Sequence, residues 1–439
     1  MSHPLQTAPI RPALWRLAGP TTALMVVQIF VAIAETWIVG RLGTEALAGF
    51  VLVVPFMALM FNMANGGMGG AVASALARAL GAGRQEDARV LMLHALLVGW
   101  SLALIFMAVG WTALPPLFRL MGGSGRALAE ALSFSSWFFA AAPLVWPNCF
   151  LAALLRGAGD SATPSRIGAA TSVVYVALSF VLAPRLGLVG LVIAGATGTT
   201  ISLALMARAV RRGRLGFIPA FAGVRLQPRL FGEILRVGLM GSASTPAAIL
   251  TAVLVTGLVG RFGTAALAGY GIGMRLEFML APLAFGIGTG LTTLVGVAAG
   301  AGAWRRANQA AWVGGLFAFL IIGSLGWIVA LAPESWARLF TSDAEVVAAS
   351  VACLRRVAPV YCFFGLGLTL YFASQGAGRM AVPFSASIVR MIVATAGGWL
   401  AIEPMGLGLD GVFLAIAASL VAYGCLIAGS LLVRPWRAR

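Results

Sequence analysis

Two carboxylates interrupt stretches that are otherwise almost wholly apolar: Glu35 in residues 14–39 and Glu277 in residues 262–288. A charge at the centre of a bilayer costs roughly 2.5–3.5 kcal/mol even on insertion scales, so an acid kept there faces a cavity or a partner. The chemistry open to it is the gain and loss of one proton, or a share in holding a cation. Gln28 lies seven residues before Glu35, two turns along the same helical face. It lines the same cavity or hydrogen-bonds a neighbouring helix. Glu35 is about four residues from the end of its apolar run at Val39, so contact with outside water is the competing reading. Arg275 is two residues from Glu277, and residues i and i+2 do not face each other on a helix. Arg275 therefore pairs with another helix or snorkels. Glu277 either handles substrate and protons or ties two helices together. Asn62, Asn65, Asn148, Tyr175, Ser179, Tyr361, Tyr371 and Gln375 are the polar or amphipathic positions within spans. Each serves as interhelical glue or as cavity lining.

Other chemistries are excluded by residue type. All 30 basic residues are Arg, so there is no lysine for a P-loop, a Schiff base or a kinase. His3 and His94 are the two histidines, which excludes an HExxH zinc site. Cys149, Cys353, Cys362 and Cys425 form no CxxC pair and sit in or beside apolar segments; they read as core residues. No metal site, catalytic residue or cofactor is expected, and the chain does not read as an enzyme.

The elements that must position Glu35 and Glu277 follow from composition. Of 439 residues, 60% are hydrophobic and 10% charged, against about 25% charged in an average soluble domain. This is the composition of a polytopic membrane protein, since a bilayer core takes about 20 apolar helical residues. Twelve helices are expected, at about 14–39, 46–77, 90–113, 132–155, 165–184, 189–210, 235–258, 264–298, 308–332, 351–374, 384–402 and 411–433. The first run is too long for a secretory signal and lacks a clear small-x-small cleavage site, so it reads as a span. With the N-terminus placed inside, 21 of the 30 Arg fall in inner segments, Arg390 among them, and eight in outer ones. That asymmetry predicts cytoplasmic termini. The net charge of +17 is thus a topology signal, and nucleic acid is not an expected partner.

The chain repeats itself. Gly40-Arg-Leu-Gly-Thr-Glu-Ala-Leu-Ala-Gly49 returns as Gly260-Arg-Phe-Gly-Thr-Ala-Ala-Leu-Ala-Gly269, an offset of 220. Gly81-Ala-Gly83 returns at Gly300, Gly157-Ala-Gly-Asp-Ser-Ala-Thr-Pro164 at Gly376, and Leu186-Gly-Leu-Val-Gly190 at Leu407. Each half therefore holds six helices, and an even number preserves orientation, giving parallel repeats. The expected fold is an all-α membrane protein: twelve helices in two parallel six-helix lobes around a central cleft. The division is an N-lobe over 1–210, a cytoplasmic linker over 211–234 and a C-lobe over 235–439.

Pro20, Gln28, the acid at 35, the Gly40–Gly49 motif, Gly81-Ala-Gly-Arg84, Gly157-Ala-Gly-Asp160 with Pro164 and the twofold repeat together resemble the multidrug and toxic compound extrusion (MATE) family. The branch resembled is the DNA-damage-inducible F type. The resemblance implies an inner-membrane antiporter that exports organic, often cationic or lipophilic compounds in exchange for H⁺ or Na⁺. It favours a coupling role for Glu35, with Pro20 as the hinge; from their positions in spans, Gln28, Asn62, Asn148, Tyr175, Ser179, Arg275, Glu277 and Tyr371 are the cavity-lining candidates. Where the family commonly has Asp, this chain has Glu35; where many members have an Asn and an Asp in the fifth helix, it has Tyr175 and Ser179. The acids that one branch carries in helices seven and ten have no counterpart here. Hard cations need several oxygen ligands, so H⁺ is the expected coupling ion ahead of Na⁺. Small organic substrates and membrane lipids are the expected partners of a monomeric, multi-pass protein of the bacterial cytoplasmic membrane. A flippase for a lipid-linked precursor and an intramembrane enzyme are the alternatives.

Overall fold

The computed structural model describes residues 4–221 and 224–437; His3, named above, lies outside the described residues, as do Gly223 of the expected linker and Arg439, one of the inner arginines counted above. All regular structure among the described residues is helical. In the first half run α1 (Ile10–Arg41), α2 (Thr44–Asn62), α3 (Met68–Gly81), α4 (Gln85–Thr112), α5 (Leu114–Leu120), α6 (Gly125–Ala140), α7 (Ala142–Gly157), α8 (Ala162–Leu186) and α9 (Leu188–Arg211). The second half holds α10 (Pro228–Gly260), α11 (Thr264–Gly300), α12 (Trp304–Leu331), α13 (Pro333–Arg338), α14 (Ala344–Val357), α15 (Tyr361–Gly376), α16 (Ala381–Ile402) and α17 (Gly408–Val433). Among the described residues eleven spans are long and apolar enough to cross a membrane, and α6 with α7, bent by 49°, makes a twelfth if the pair is one span. The bend has a cause: Pro143 occupies the first turn of α7, where its missing N–H is tolerated but cannot continue α6. Pro359 marks the matching interruption between α14 and α15, a 3₁₀ turn over Ala358–Val360.

The chain divides into two compact units. Gly19–Leu239 packs as one; Pro4–Ala18 packs with Met240–Arg439 as the other. The first nine residues of α1 thus belong with the second half, and segment 211–239 with the first. One boundary falls at Ala18/Gly19, beside Pro20, whose ring removes a rung from the helical ladder.

Within each unit the repeated motifs do repeated work. Gly43 and Gly263 hold φ of 113° and 99° in the turn ahead of α2 and α11, a backbone state that a side chain would strain. Gly157 and Gly376 are sites of close helix approach. A Cβ on Gly157 would lie 2.5 Å from the carbonyl oxygen of Ala73, and one on Gly376 would lie 2.6 Å from that of Thr292.

Between Gly49 and Gly81 the offset falls from 220 to 219, so the first half carries one residue more than the second over that stretch. The surplus is taken up by a π turn at Met63–Gly67 between α2 and α3, whereas its counterpart α11 is one continuous helix of 37 residues.

In the first unit, segment 211–233 is fastened to the start of α4. Arg229 and Arg84 both bond Asp87, at 2.5 and 3.0 Å, and Arg84 also reaches Glu233 at 3.5 Å. The backbone N–H of Gln227 donates to His94 Nε2 at 2.8 Å, which assigns the ring proton to Nδ1, facing the Val90 carbonyl.

Arg390 requires a correction. Counted above among the inner-segment arginines although it falls within the expected span 384–402, it is the tenth residue of α16, inside a span. It is held there by an acid, as the next section describes.

Candidate functional site

Helices α1 and α8 meet along four rungs in the first unit. Leu24 packs against Gly168, where a Cβ would come within 3.1 Å of it. Gln28 Nε2 donates to Ser172 Oγ at 2.9 Å. The Tyr175 hydroxyl donates to Glu35 Oε1 at 2.5 Å. Trp37 stacks on Phe180 with ring centroids 5.7 Å apart. The first contact is possible because residue 168 lacks a side chain. The next two follow from helical spacing: Ser172 and Tyr175 are three apart and so share a face. Gly195 and Gly198 of α9 lie beside Tyr175; a Cβ on either would be in ordinary van der Waals contact with it, at 3.6 and 3.9 Å. Ser179, one turn beyond Tyr175, is 1% exposed. Because α1 runs on to Arg41, Glu35 lies about 9 Å from the helix end at 1.5 Å per residue, deeper than its apolar run implied.

A phenol donating to a carboxylate stabilises the ionised acid. When the acid is protonated, the same pair is satisfied with the acid as donor and the phenolic oxygen as acceptor. Glu35 therefore has a hydrogen-bond partner in both states.

The remaining candidates in this unit are dispersed. Asn62 is exposed at the entry to the π turn. Asn148 on α7 is half-buried, and its Oδ1 has no hydrogen-bond partner among the described residues.

The second unit has its own buried charge. Glu277 on α11 bonds Arg390 Nη2 on α16 at 2.8 Å, with 11% and 21% of the two side chains exposed. The guanidinium lies over Phe364 and Tyr423, 5.4 and 5.8 Å from the ring centroids. Arg275 points away from Glu277, and its guanidinium lies 4.9 Å from the Phe340 ring centroid. Tyr371 donates to the Gly241 carbonyl at 2.9 Å, next to Ser242, whose carbonyl loses its helical donor to Pro246. Arg390 was missed as the partner of Glu277. The available signal was that a lone charge in a span requires its opposite, and 384–402 carries an Arg.

Among the described residues no group of three or more His, Cys, Asp or Glu could hold a metal ion. Repeated sets of six candidate spans are the architecture of a multi-pass membrane protein. The MatE family matches residues 20–181 and 248–400, and the chain belongs to that family of transporters; it is not an enzyme. It is 31% identical to a "Probable multidrug resistance protein NorM" of Deinococcus radiodurans, over 98% of this chain and 96% of that one. It is 26% identical to an "FAD transporter" of Shewanella oneidensis, over 85% of this chain and 83% of the relative. Its fold is similar to that of a MOP superfamily transporter from Pyrococcus furiosus, with a TM-score of 0.91 at 22% identity, covering 98% and 97% of the two chains.

Proposed function

We propose that the protein is a secondary active multidrug exporter. It exchanges organic, cationic or lipophilic compounds for H⁺ by alternating access in the bacterial inner membrane, with Glu35 as the coupling carboxylate. The hydrogen bond from Tyr175 to Glu35 carries this reading. It gives one membrane-embedded acid a partner that accommodates both protonation states and lies on another helix, so proton gain alters the α1–α8 contact. Loss of the charge biases α1 between two arrangements, and Pro20 supplies the place for it to bend. The same pair is a poor sodium cage, because the group facing Glu35 is a phenol and hard cations need several oxygen ligands. The relatives named for multidrug resistance support the cargo class. A flippase of lipid-linked precursors calls for free cations in its spans, but Arg390 is neutralised by Glu277 and Arg275 lies over Phe340.

The test is reconstitution in liposomes with an imposed pH or Na⁺ gradient, fluorescent cationic dyes as cargo and FAD as the alternative. Dye movement driven by the pH gradient alone is expected. Movement that survives collapse of the pH gradient and stops without Na⁺ would reject H⁺ coupling.

A further inference from the structure

The transport reading leaves one groove of the second unit unused. It has a volume of about 740 Å³ and lies between the first turns of α12 and the segment Pro435–Arg437 that follows α17. From α12 it takes Trp304, Arg305 and Asn308, then Trp312 and Val313 about one turn further on. At 1.5 Å per residue this face climbs about 13 Å, close to half of the ~30 Å hydrocarbon core. The groove is thus graded: cationic at the helix end, aromatic and aliphatic further in.

Its walls are fixed by specific contacts. Asn308 donates from Nδ2 to the Trp436 carbonyl at 3.0 Å and accepts the Trp436 N–H on Oδ1 at 3.2 Å. The Arg379 guanidinium lies 5.1 Å from the Trp304 ring centroid and donates to the Arg437 carbonyl at 2.5 Å. These contacts pin the segment after α17 onto α12 and leave the side chains of Arg305 and Arg437 facing outward, both exposed. Neither makes an ion pair among the described residues. The stretches of sequence that carry the groove's lining and Arg379, residues 296–313, 376–390 and 426–437, contain no Asp or Glu.

Two guanidiniums beside an apolar wall flanked by tryptophans match a ligand that has a phosphate at one end and hydrocarbon at the other. Tryptophan marks the level of the lipid headgroups, and basic pockets at helix ends recognise anionic ones. The guanidinium fork suits a phosphate, which it can bond through two N–H groups at once. A soluble anion would use the Arg pair and leave the wall of Trp312 and Val313 bare.

We propose that this groove binds an anionic phospholipid. Its phosphate is held by Arg305 and Arg437, and an acyl chain lies along Trp312 and Val313. The proposal is independent of coupling ion and cargo, because its readout is lipid occupancy and not export.

The test is native mass spectrometry of the full chain released from detergent. The probes are phosphatidylglycerol, phosphatidylethanolamine and, as a headgroup without chains, glycerol 3-phosphate. Phosphatidylglycerol should bind in preference to phosphatidylethanolamine. The R305Q/R437Q variant should lose at least about tenfold of the phosphatidylglycerol adducts and leave the phosphatidylethanolamine adducts unchanged. R305K/R437K, which keeps the charge but loses the fork, should fall between the parent and R305Q/R437Q. Trp312→Ala should weaken phosphatidylglycerol binding as well, by shortening the apolar wall. Equal binding of the two lipids, or undiminished phosphatidylglycerol adducts in R305Q/R437Q, overturns the proposal. So does full displacement of the lipid by equimolar glycerol 3-phosphate, which would mark a free-anion site. A lysine pair that binds as poorly as the glutamine pair also rejects it, since the charge would then not be what the groove uses.

Discussion

Tyr175 makes the Glu35 carboxyl answerable to a second helix, and the consequences are testable by single substitutions. Glu35→Gln keeps the size of the side chain but cannot ionise. It should abolish gradient-driven dye efflux at unchanged expression and leave the melting temperature within a few degrees of the parent. Glu35→Asp is one methylene shorter and should retain part of the activity. Export by Glu35→Gln at the parent rate would make Glu35 structural. The Glu277–Arg390 pair predicts a different pattern. Removing one partner of a buried pair strands the other charge, typically at about 3–5 kcal/mol, whereas replacing both is often near neutral. Glu277→Gln and Arg390→Met should each lower the thermal midpoint in detergent, and the double variant should recover much of the loss. Additive losses would show that the two residues act separately. Residue types and helical spacing were enough to single out Glu35 and Gln28, because charge and period are local properties; Tyr175 was one of eight polar positions in spans, and its bond to Glu35 joins residues 140 apart. Arg390 escaped because its partner lies 113 residues away, and local spacing draws attention to Arg275 instead.

For the helices, contact distance decides. Gly157 lets α7 lie against the backbone of α3, and Gly376 does the same for α15 against α11. Gly157→Leu and Gly376→Leu meet carbonyl oxygens, which cannot rotate aside. Each should cost at least about 1–3 kcal/mol, the usual range for overpacking, read as a fall in the temperature at which the monodisperse peak is lost in size-exclusion chromatography. Gly429, with nothing within 4 Å of its would-be Cβ, is the control. All twelve apolar runs of the sequence are helical in the structure, because length and absence of charge suffice to mark a span. The short α5 and α13, the 49° bend and the π turn were not legible. A π turn needs only one surplus residue, and in a run such as Met63-Ala-Asn-Gly-Gly67 nothing in hydropathy distinguishes it from ordinary helix.

Over the molecule as a whole, the arginines set the expected orientation. With Arg390 returned to its span, 20 Arg fall on the side assigned to the cytoplasm and eight on the other. A cysteine placed at Gly216, in the segment fastened to α4, should resist membrane-impermeant maleimide in intact cells and react after permeabilisation, above the background of the native thiols. Ready labelling in intact cells would invert the topology. The twofold repeat was legible from shared motifs, since turns and close approaches demand particular residues. Which unit residues 4–18 join was not, because packing partners leave no periodic trace. The contacts that settle it, such as the bonds from Arg306 to the carbonyls of Leu5 and Ala8, span almost 300 residues of chain.

The surplus residue between α2 and α3 has a kinetic meaning as well. A bulge in a helix has no fixed address: it can step along the axis by exchanging one set of backbone hydrogen bonds for the next. Each step turns by about 100° only the residue it passes, while both flanking helices keep their register. The faces that α2 and α3 present to their neighbours can thus be held while the side chains from Met63 to Gly67 are re-aimed. The continuous α11 has no such traveller, so its side chains can be re-aimed only by moving the helix as a whole.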